Sequence, residues 1–231
     1  MSEKIQTDRY LKKLDPIQRR TAEKLLLDTK PYQPVPSVLF QWLAWMALAL
    51  VIVVLTILII KPQQDFLEKL RLLPNAVFML LVFVGSALAA WGGISSSMPG
   101  REPGSVEKSL LIGIVLSLFV IPFLFFTPDT MAEVWSHSMA SGWFCFRTVF
   151  LVALPSWILL GWMVSRNASF APAWTGAWLG VSAFLLGTGT IQIHCEHWES
   201  YHMVVDHLLP LILLIFLPIW IGSFWFSRWK K

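Results

Sequence analysis

The sequence predicts an all-α, polytopic membrane protein with six transmembrane helices preceded by a short cytosolic N-terminal helix. Three observations predict it. Of 231 residues, 56% are hydrophobic and only 14% charged, well below the roughly 25% charged of soluble domains. Mean hydropathy is +0.63. Six apolar runs, Val38–Ile60, Ala76–Ile94, Leu110–Phe126, Trp143–Val164, Trp174–Ile193 and Val204–Phe226, each come close to the roughly 17–25 residues that a spanning helix needs. Two domains follow: a cytosolic segment, 1–37, and a six-helix transmembrane domain, 38–231.

The head is polar and basic, with eight Lys/Arg against five acids in residues 1–37. It is too long for a cleavable signal, so the first apolar run is the expected insertion signal. Asp15-Pro16-Ile17-Gln18 reads as a helix start: Asp15 caps, Pro16 suits the first helical position and Gln18 completes a capping box. The helix is predicted to run to about Asp28. Leu14, Ile17, Thr21 and Leu25 recur at helical spacing with Leu26 beside them, and Arg19, Arg20, Glu23 and Lys24 take the other face. Basic amphipathic helices lie on anionic membrane surfaces; the same stripe would equally serve as a docking helix for a soluble partner, and the pattern leaves both open. Pro31, Pro34 and Pro36 then break the helix and link it to the membrane.

Along the spans, Trp and Tyr cluster near several ends, as interfacial belts do. Pro122, Pro155, Pro210 and Pro218 fall inside runs and predict kinks. Gly176 and Gly180 form a small-xxx-small pair that lets helices approach closely. With an even number of spans both termini share a side. That side collects fourteen Lys/Arg, the opposite side only Lys61, Lys69, Arg71 and Arg147. The positive-inside rule places the richer side, and so both termini, of this multi-pass protein in the cytoplasm.

This orientation sorts the chemistry. Cys145 falls at the outer end of the fourth span and Cys195 at the outer end of the fifth. All five histidines, His137, His194, His197, His202 and His207, fall in or beside the last two outer loops. The stretch Ile191–His207 alone holds Cys195, four of the histidines and the carboxylates Glu196, Glu199 and Asp206. Thiol and imidazole are the soft and borderline ligands that transition metals select, so Cys145 and Cys195 with His194, His202 or His207 would suit Cu(I) or Zn(II). A disulfide between Cys145 and Cys195 is the other chemistry: the two residues cap adjacent spans on one face, in a compartment that permits it. Arg147, two residues on, would favour thiolate at Cys145. Glu199, His202 and Asp206 share a helix face leading into the sixth span. The bland alternative is that the cysteines are small buried hydrophobes and the histidines amphipathic interface residues.

Several classes are disfavoured. There is no Cys-x-x-Cys exchange motif and no His-Glu-x-x-His metalloprotease motif. The first, second, third and fifth spans lack ionisable residues at mid-depth, which argues against a transporter or metal permease. A thiol–disulfide oxidoreductase feeding quinone would want two cooperating cysteine pairs, and one pair exists. The expectation is a non-enzyme with no required cofactor, for which a transition metal would be a signal.

From about Leu25 to Trp229 the chain resembles the NrsF-type membrane anti-sigma factors. The resemblance is carried by Leu25-Leu-Leu-Asp-Thr-Lys-Pro31 followed by Pro34-Val35, Gly142-Trp-Phe-Cys145 with Pro155 in the same span, Pro172, Gly176 and Gly180, His194-Cys195-Glu196, and Arg228-Trp229. Each motif is short, and specificity lies in their order across the spans. Asp206-His207 stands where the family often has an aromatic before a Tyr or His. The resemblance implies that the cytosolic segment, through Leu25, Leu26, Asp28, Pro31 and Val35, holds an extracytoplasmic-function sigma factor at the membrane. It implies that the protein acts on this partner and not directly on nucleic acid, and that a heavy metal or oxidant met by the two cysteines releases it.

Overall fold

The computed structural model describes residues 35–98, 100–125, 142–165, 167, 169 and 171–225. The predicted Asp15–Asp28 helix, with Leu25, Leu26, Asp28 and Pro31, lies outside these residues, as does His137. Val35 is half-buried at the start of the described chain.

The described residues are helical and contain no strand. In order they form α1 (Val38–Ile59), the short α2 (Phe66–Arg71), α3 (Leu73–Ser96), α4 (Ser105–Phe125), α5 (Trp143–Val164) and α6 (Pro172–Gln192). A single helical turn, Ser200–His202, passes into a π-helical stretch, Met203–Leu208, and then α7 (Leu209–Trp225). α1 starts where Ser37 accepts a hydrogen bond from the Phe40 amide, a side-chain cap for an otherwise orphaned donor. The helices continue through Pro122, Pro155 and Pro218.

α6 is the axis of the bundle, packed against α3, α5 and α7, with Thr175 to Gln192 buried without a break. Small residues make this approach possible. A Cβ on Gly180 would stand 2.7 Å from Pro218 Cγ, and one on Gly187 would stand 2.8 Å from the Val149 carbonyl oxygen. The expected Gly176/Gly180 contact face is therefore the seat of α7. Hydroxyls in this core are bonded to backbone carbonyls: Ser86 Oγ donates to Ser182 O at 2.8 Å and Thr190 Oγ1 to Leu186 O at 2.6 Å, as most groups away from water are. α3 meets α6 through one helical face that includes Phe78, Val82, Ser86, Ala89 and Gly93.

Among the described residues, four helices, α1, α3, α4 and α5, are long and apolar enough to cross a membrane by length and composition, two fewer than the six expected. α6 has the length, but Gly, Ser and Thr dilute its apolarity; a helix enclosed by three others needs small residues and does not need a lipid-facing surface. α7 spans 17 residues as an α-helix because the chain before it is wound as a π-helix.

At the Pro36 end of α1, a buried polar cluster joins three parts of the chain. Asn167 Nδ2 donates to Ser97 Oγ at 2.6 Å and to Gln41 Oε1 at 3.3 Å, while Gln41 Nε2 donates to Pro36 O at 2.9 Å. Ser96, Ser169 and Thr175 form an adjoining hydroxyl group, with Thr175 Oγ1 at 3.1 Å from Ser96 Oγ and 2.9 Å from Ser169 Oγ. Trp42 Nε1 donates to Ala87 O at 2.9 Å, fastening α1 to α3.

Candidate metal centre

At the opposite end of the bundle, four elements converge. Cys145 is the third residue of α5 and sits in the core. Cys195 lies in the irregular turn after α6, His202 closes the helical turn, and His207 lies in the π-helical stretch. Their ligand atoms, two Sγ and two imidazole nitrogens, all lie within 4.8 Å of one another. All four residues are buried, the two cysteines at 4% exposure, His202 at 2% and His207 at 0%.

The π-helix explains the pairing of His202 with His207. Residues five apart diverge on an α-helix, but the wider π turn closes at i+5 and stacks them. Their ring centroids are 5.0 Å apart, edge to face with 66° between the ring planes. The same stretch sets Asp206 Oδ2 2.9 Å from His202 Nδ1. Gly142 makes room for that carboxylate: a Cβ there would stand 2.6 Å from Asp206 Cγ. A carboxylate at Nδ1 fixes the ring so that Nε2 faces the site, and Nε2 is 3.1 Å from Cys195 Sγ. Burial alone would push His202 down; the Asp206 carboxylate and, after it, the Cys145 sulfur together outweigh burial and raise the imidazole to about 9. The Cys195 thiol is pushed up, first by the Cys145 sulfur beside it and then by burial. Its S–H donates to His197 O at 3.4 Å.

The donor set fits a transition metal on three counts. Cys145 Sγ and Cys195 Sγ are 3.7 Å apart, and two thiolates at about 2.3 Å from a tetrahedral zinc stand about 3.8 Å apart. His207 is wholly enclosed, its ring nitrogens make no well-formed hydrogen bond and the Cys145 thiol is the polar group beside it, so a bound cation would satisfy a buried nitrogen that the protein satisfies poorly. Two sulfurs with two imidazoles are a composition that Zn(II) and Cu(I) both accept. The thiols are in contact but free.

The remaining expected residues fall elsewhere. His194 is outside the cluster: its Nδ1 is 3.0 Å from the Lys61 carbonyl oxygen. Glu199 pairs with His197 at 3.5 Å and not with His202, because the turn at Ser200 rotates it off that face. Arg147 is exposed, whereas Cys145 is buried. Sequence reasoning placed Asp206 on a face with His202 but missed its role as the carboxylate at Nδ1. The i,i+4 spacing of His202 and Asp206 was the signal. The role of Gly142 left no signal of its own, since it depends on contact with a residue 64 positions away.

The family whose description is "negative regulator of sigma F" matches residues 25–229 of the chain. No curated protein and no solved structure matches it.

Proposed function

Because the chain belongs to the NrsF family of negative regulators of sigma F, a regulatory and not an enzymatic family, we propose that it holds an extracytoplasmic-function sigma factor at the bacterial inner membrane and releases it when a metal occupies Cys145, Cys195, His202 and His207. In this reading the sigma factor is held by the cytosolic segment, with Leu25, Leu26, Asp28, Pro31 and Val35 in contact. α6 and α7 join the four apolar helices as fifth and sixth spans, both termini lie in the cytoplasm, and the Cys/His group faces the periplasm. The asymmetry of fourteen Lys/Arg against four supports that orientation.

The observation that carries the signal is the buried imidazole of His207, which makes no well-formed hydrogen bond and has the Cys145 thiol beside it, within 4.8 Å of two thiols and a second imidazole. Magnitude supports it too. Taking the partner from mostly held to mostly released needs about 5.5 kcal/mol of differential binding. A structural zinc site reaches roughly 10–16 kcal/mol. A bound ion would supply bonds tying α5 to the turn after α6 and to the π-helical stretch. Cys145 and Cys195 would hold it as thiolates; His202 would offer Nε2, with Asp206 keeping its Nδ1 occupied.

Oxidation is the second reading, favoured by the 3.7 Å thiol contact. Closing a loop of about fifty residues supplies about 4 kcal/mol by the chain-entropy estimate, short of what release needs. The test is release of membrane-held sigma factor on titrating Zn(II) or Cu(I), in wild type and in Cys145→Ser, Cys195→Ser and His207→Ala. The cysteine variants are expected to keep the partner and stop responding. Release by a thiol oxidant alone, with no response to metal, would select the oxidative reading. A doubly substituted Cys→Ser protein that still responds to metal would refute the site.

A further inference from the structure

The backbone around Cys195 is gripped from outside the cluster. Ile193, His194 and Glu196 surround that cysteine in sequence, and each is bonded to the connection that follows α1. Gln63 N donates to Ile193 O at 3.2 Å. His194 Nδ1 is 3.0 Å from Lys61 O. Lys69 Nζ donates to Glu196 O at 2.6 Å. That connection is itself anchored, since the buried Asn75 of α3 donates to Lys69 O at 2.8 Å. Cys195 therefore has its thiol against Cys145 and its flanking backbone on residues 61–69.

α1 is the helix in a position to answer. It buries only Val38, Gln41, Trp45 and Ala49. Beside it lies a cavity of about 320 Å³, lined on α1 by Trp45, Ala49 and Val53 and across from it by Phe83, Leu186 and Ile193. The last of these is the residue whose carbonyl receives Gln63. Trp45 is fully enclosed with its indole N–H unpartnered, so the resting seat of α1 leaves a buried donor unmet. At 1.5 Å per residue, α1 is roughly 33 Å long, stiff enough to carry a displacement from one end to the other.

We infer that the connection between α1 and α3 reads the Cys/His site, with Lys69 and His194 as positioning residues that couple the Cys195 turn to α1. This rests on the metal-responsive reading above. A shift of Cys195 moves Ile193, His194 and Glu196 with it. Their bonds to Gln63, Lys61 and Lys69 pass the shift to the residues just beyond Ile59. α1 tilts into the cavity at its side, and the Gln41–Asn167–Ser97 cluster at its far end is loaded. Pro36, bonded to Gln41, is where the N-terminal segment enters, so the movement arrives at the partner-holding end. The route is a continuous chain of contacts onto a helix with room beside it, and a second seat of α1 biased by the site is what the exchange measurement below reads.

The test uses the full chain in lipid vesicles with Zn(II) alone as probe, and reads two quantities. Protection of Cys145 and Cys195 from a thiol-alkylating reagent reports occupancy. Amide hydrogen exchange across residues 36–41 reports the far end of α1. In the wild type, zinc is expected to protect both thiols and to change exchange at 36–41 on the order of tenfold, the factor that about 1.4 kcal/mol in local opening gives. In Lys69→Met/His194→Phe the thiols are expected to be protected as before while exchange at 36–41 stays within about twofold of its zinc-free rate. Ala49→Leu, which extends a side chain into the cavity, is expected to blunt the exchange change with thiol protection intact. The inference is overturned if the double variant changes exchange as the wild type does, if it loses thiol protection, or if wild-type thiols are protected with no change at 36–41. Zinc that fails to protect the wild-type thiols refutes the metal reading of the site, and this inference with it.

Discussion

Replacing Asp206 with asparagine removes one charge at almost constant volume, and its effect on metal binding should depend on pH in a way that separates two roles of the carboxylate. Asp206 Oδ2 lies 2.9 Å from His202 Nδ1, with both side chains nearly enclosed. As an orienting group it raises metal affinity, and loss of such a group typically costs 10–100-fold, about 1.4–2.8 kcal/mol. As a charge it also holds the proton: with the Cys145 sulfur it raises His202 to about 9, against the downward push of burial. A proton on the ligand must leave before metal binds. At pH 7 the wild-type ring is about two pH units below its midpoint, so proton competition weakens binding roughly 100-fold. At pH 9 the competition is only about twofold. In Asp206→Asn, burial is opposed by Cys145 alone, so the ring titrates lower and its proton competes less with metal. The two effects therefore oppose at pH 7, where the variant should bind Zn(II) as tightly as wild type or up to about tenfold more tightly. At pH 9 the variant should be about 5–50-fold weaker. Competition titrations of purified protein against a chromophoric chelator at the two pH values measure this. An equal deficit at both would show that Asp206 does not hold His202 charged. Equal affinities at both would show that it does not orient the ring.

Four further outcomes follow from the same structure and reading. Gly222→Ala would put a Cβ 2.8 Å from Gly176 Cα and 2.9 Å from Pro172 O, both backbone atoms that cannot rotate away, so a loss of about 1–3 kcal/mol is expected; an unchanged melting temperature in detergent would show that α7 slides freely on α6. Asn167→Ala removes a hydrogen-bond partner of both Ser97 and Gln41 and should cost about 1–3 kcal/mol, read as faster hydrogen exchange at residues 36–41. Residues 1–37 as a soluble peptide should bind the sigma factor, and Leu25→Asp or Leu26→Asp should weaken it by burying an unpaired charge, at least about 100-fold for several kcal/mol; wild-type affinity in both variants would move the contact elsewhere, and detachment of the peptide from vesicles instead would favour a surface helix. A green fluorescent protein fused after Lys231 should fluoresce, since it matures in the cytoplasm; a dark but expressed fusion would reverse the orientation.

The boundaries of α1 and α5 were legible to within a residue because length and apolarity are properties of a segment by itself; α3 and α4 begin three and five residues before the predicted apolar runs, in first turns that hold Pro74 and Asn75, and Glu107 and Lys108. The gathering of Cys145 and Cys195 was legible for a related reason: both residues end adjacent helices on one side, and a helix end cannot be far from the end of a helix packed beside it. α6 is different. Its glycines, serines and threonines make a weak span in isolation, and only the packing shows why: it is enclosed by α3, α5 and α7, so its surface is chosen for close approach and not for lipid. The choice among the histidines also belongs to the tertiary structure. His194 is adjacent to Cys195 in sequence yet turns to Lys61, 133 residues away, whereas His207, twelve residues from Cys195, comes into the cluster because Met203–Leu208 is wound as a π-helix. Periodicity at 3.6 residues sets i and i+5 on diverging faces, and nothing local in Met203-Val-Val-Asp-His-Leu208 announces the wider turn. The grip of Lys69 on the Glu196 carbonyl, across 127 residues, has no sequence signature at all, since a lysine that donates to a distant backbone oxygen is written the same way as one that faces water.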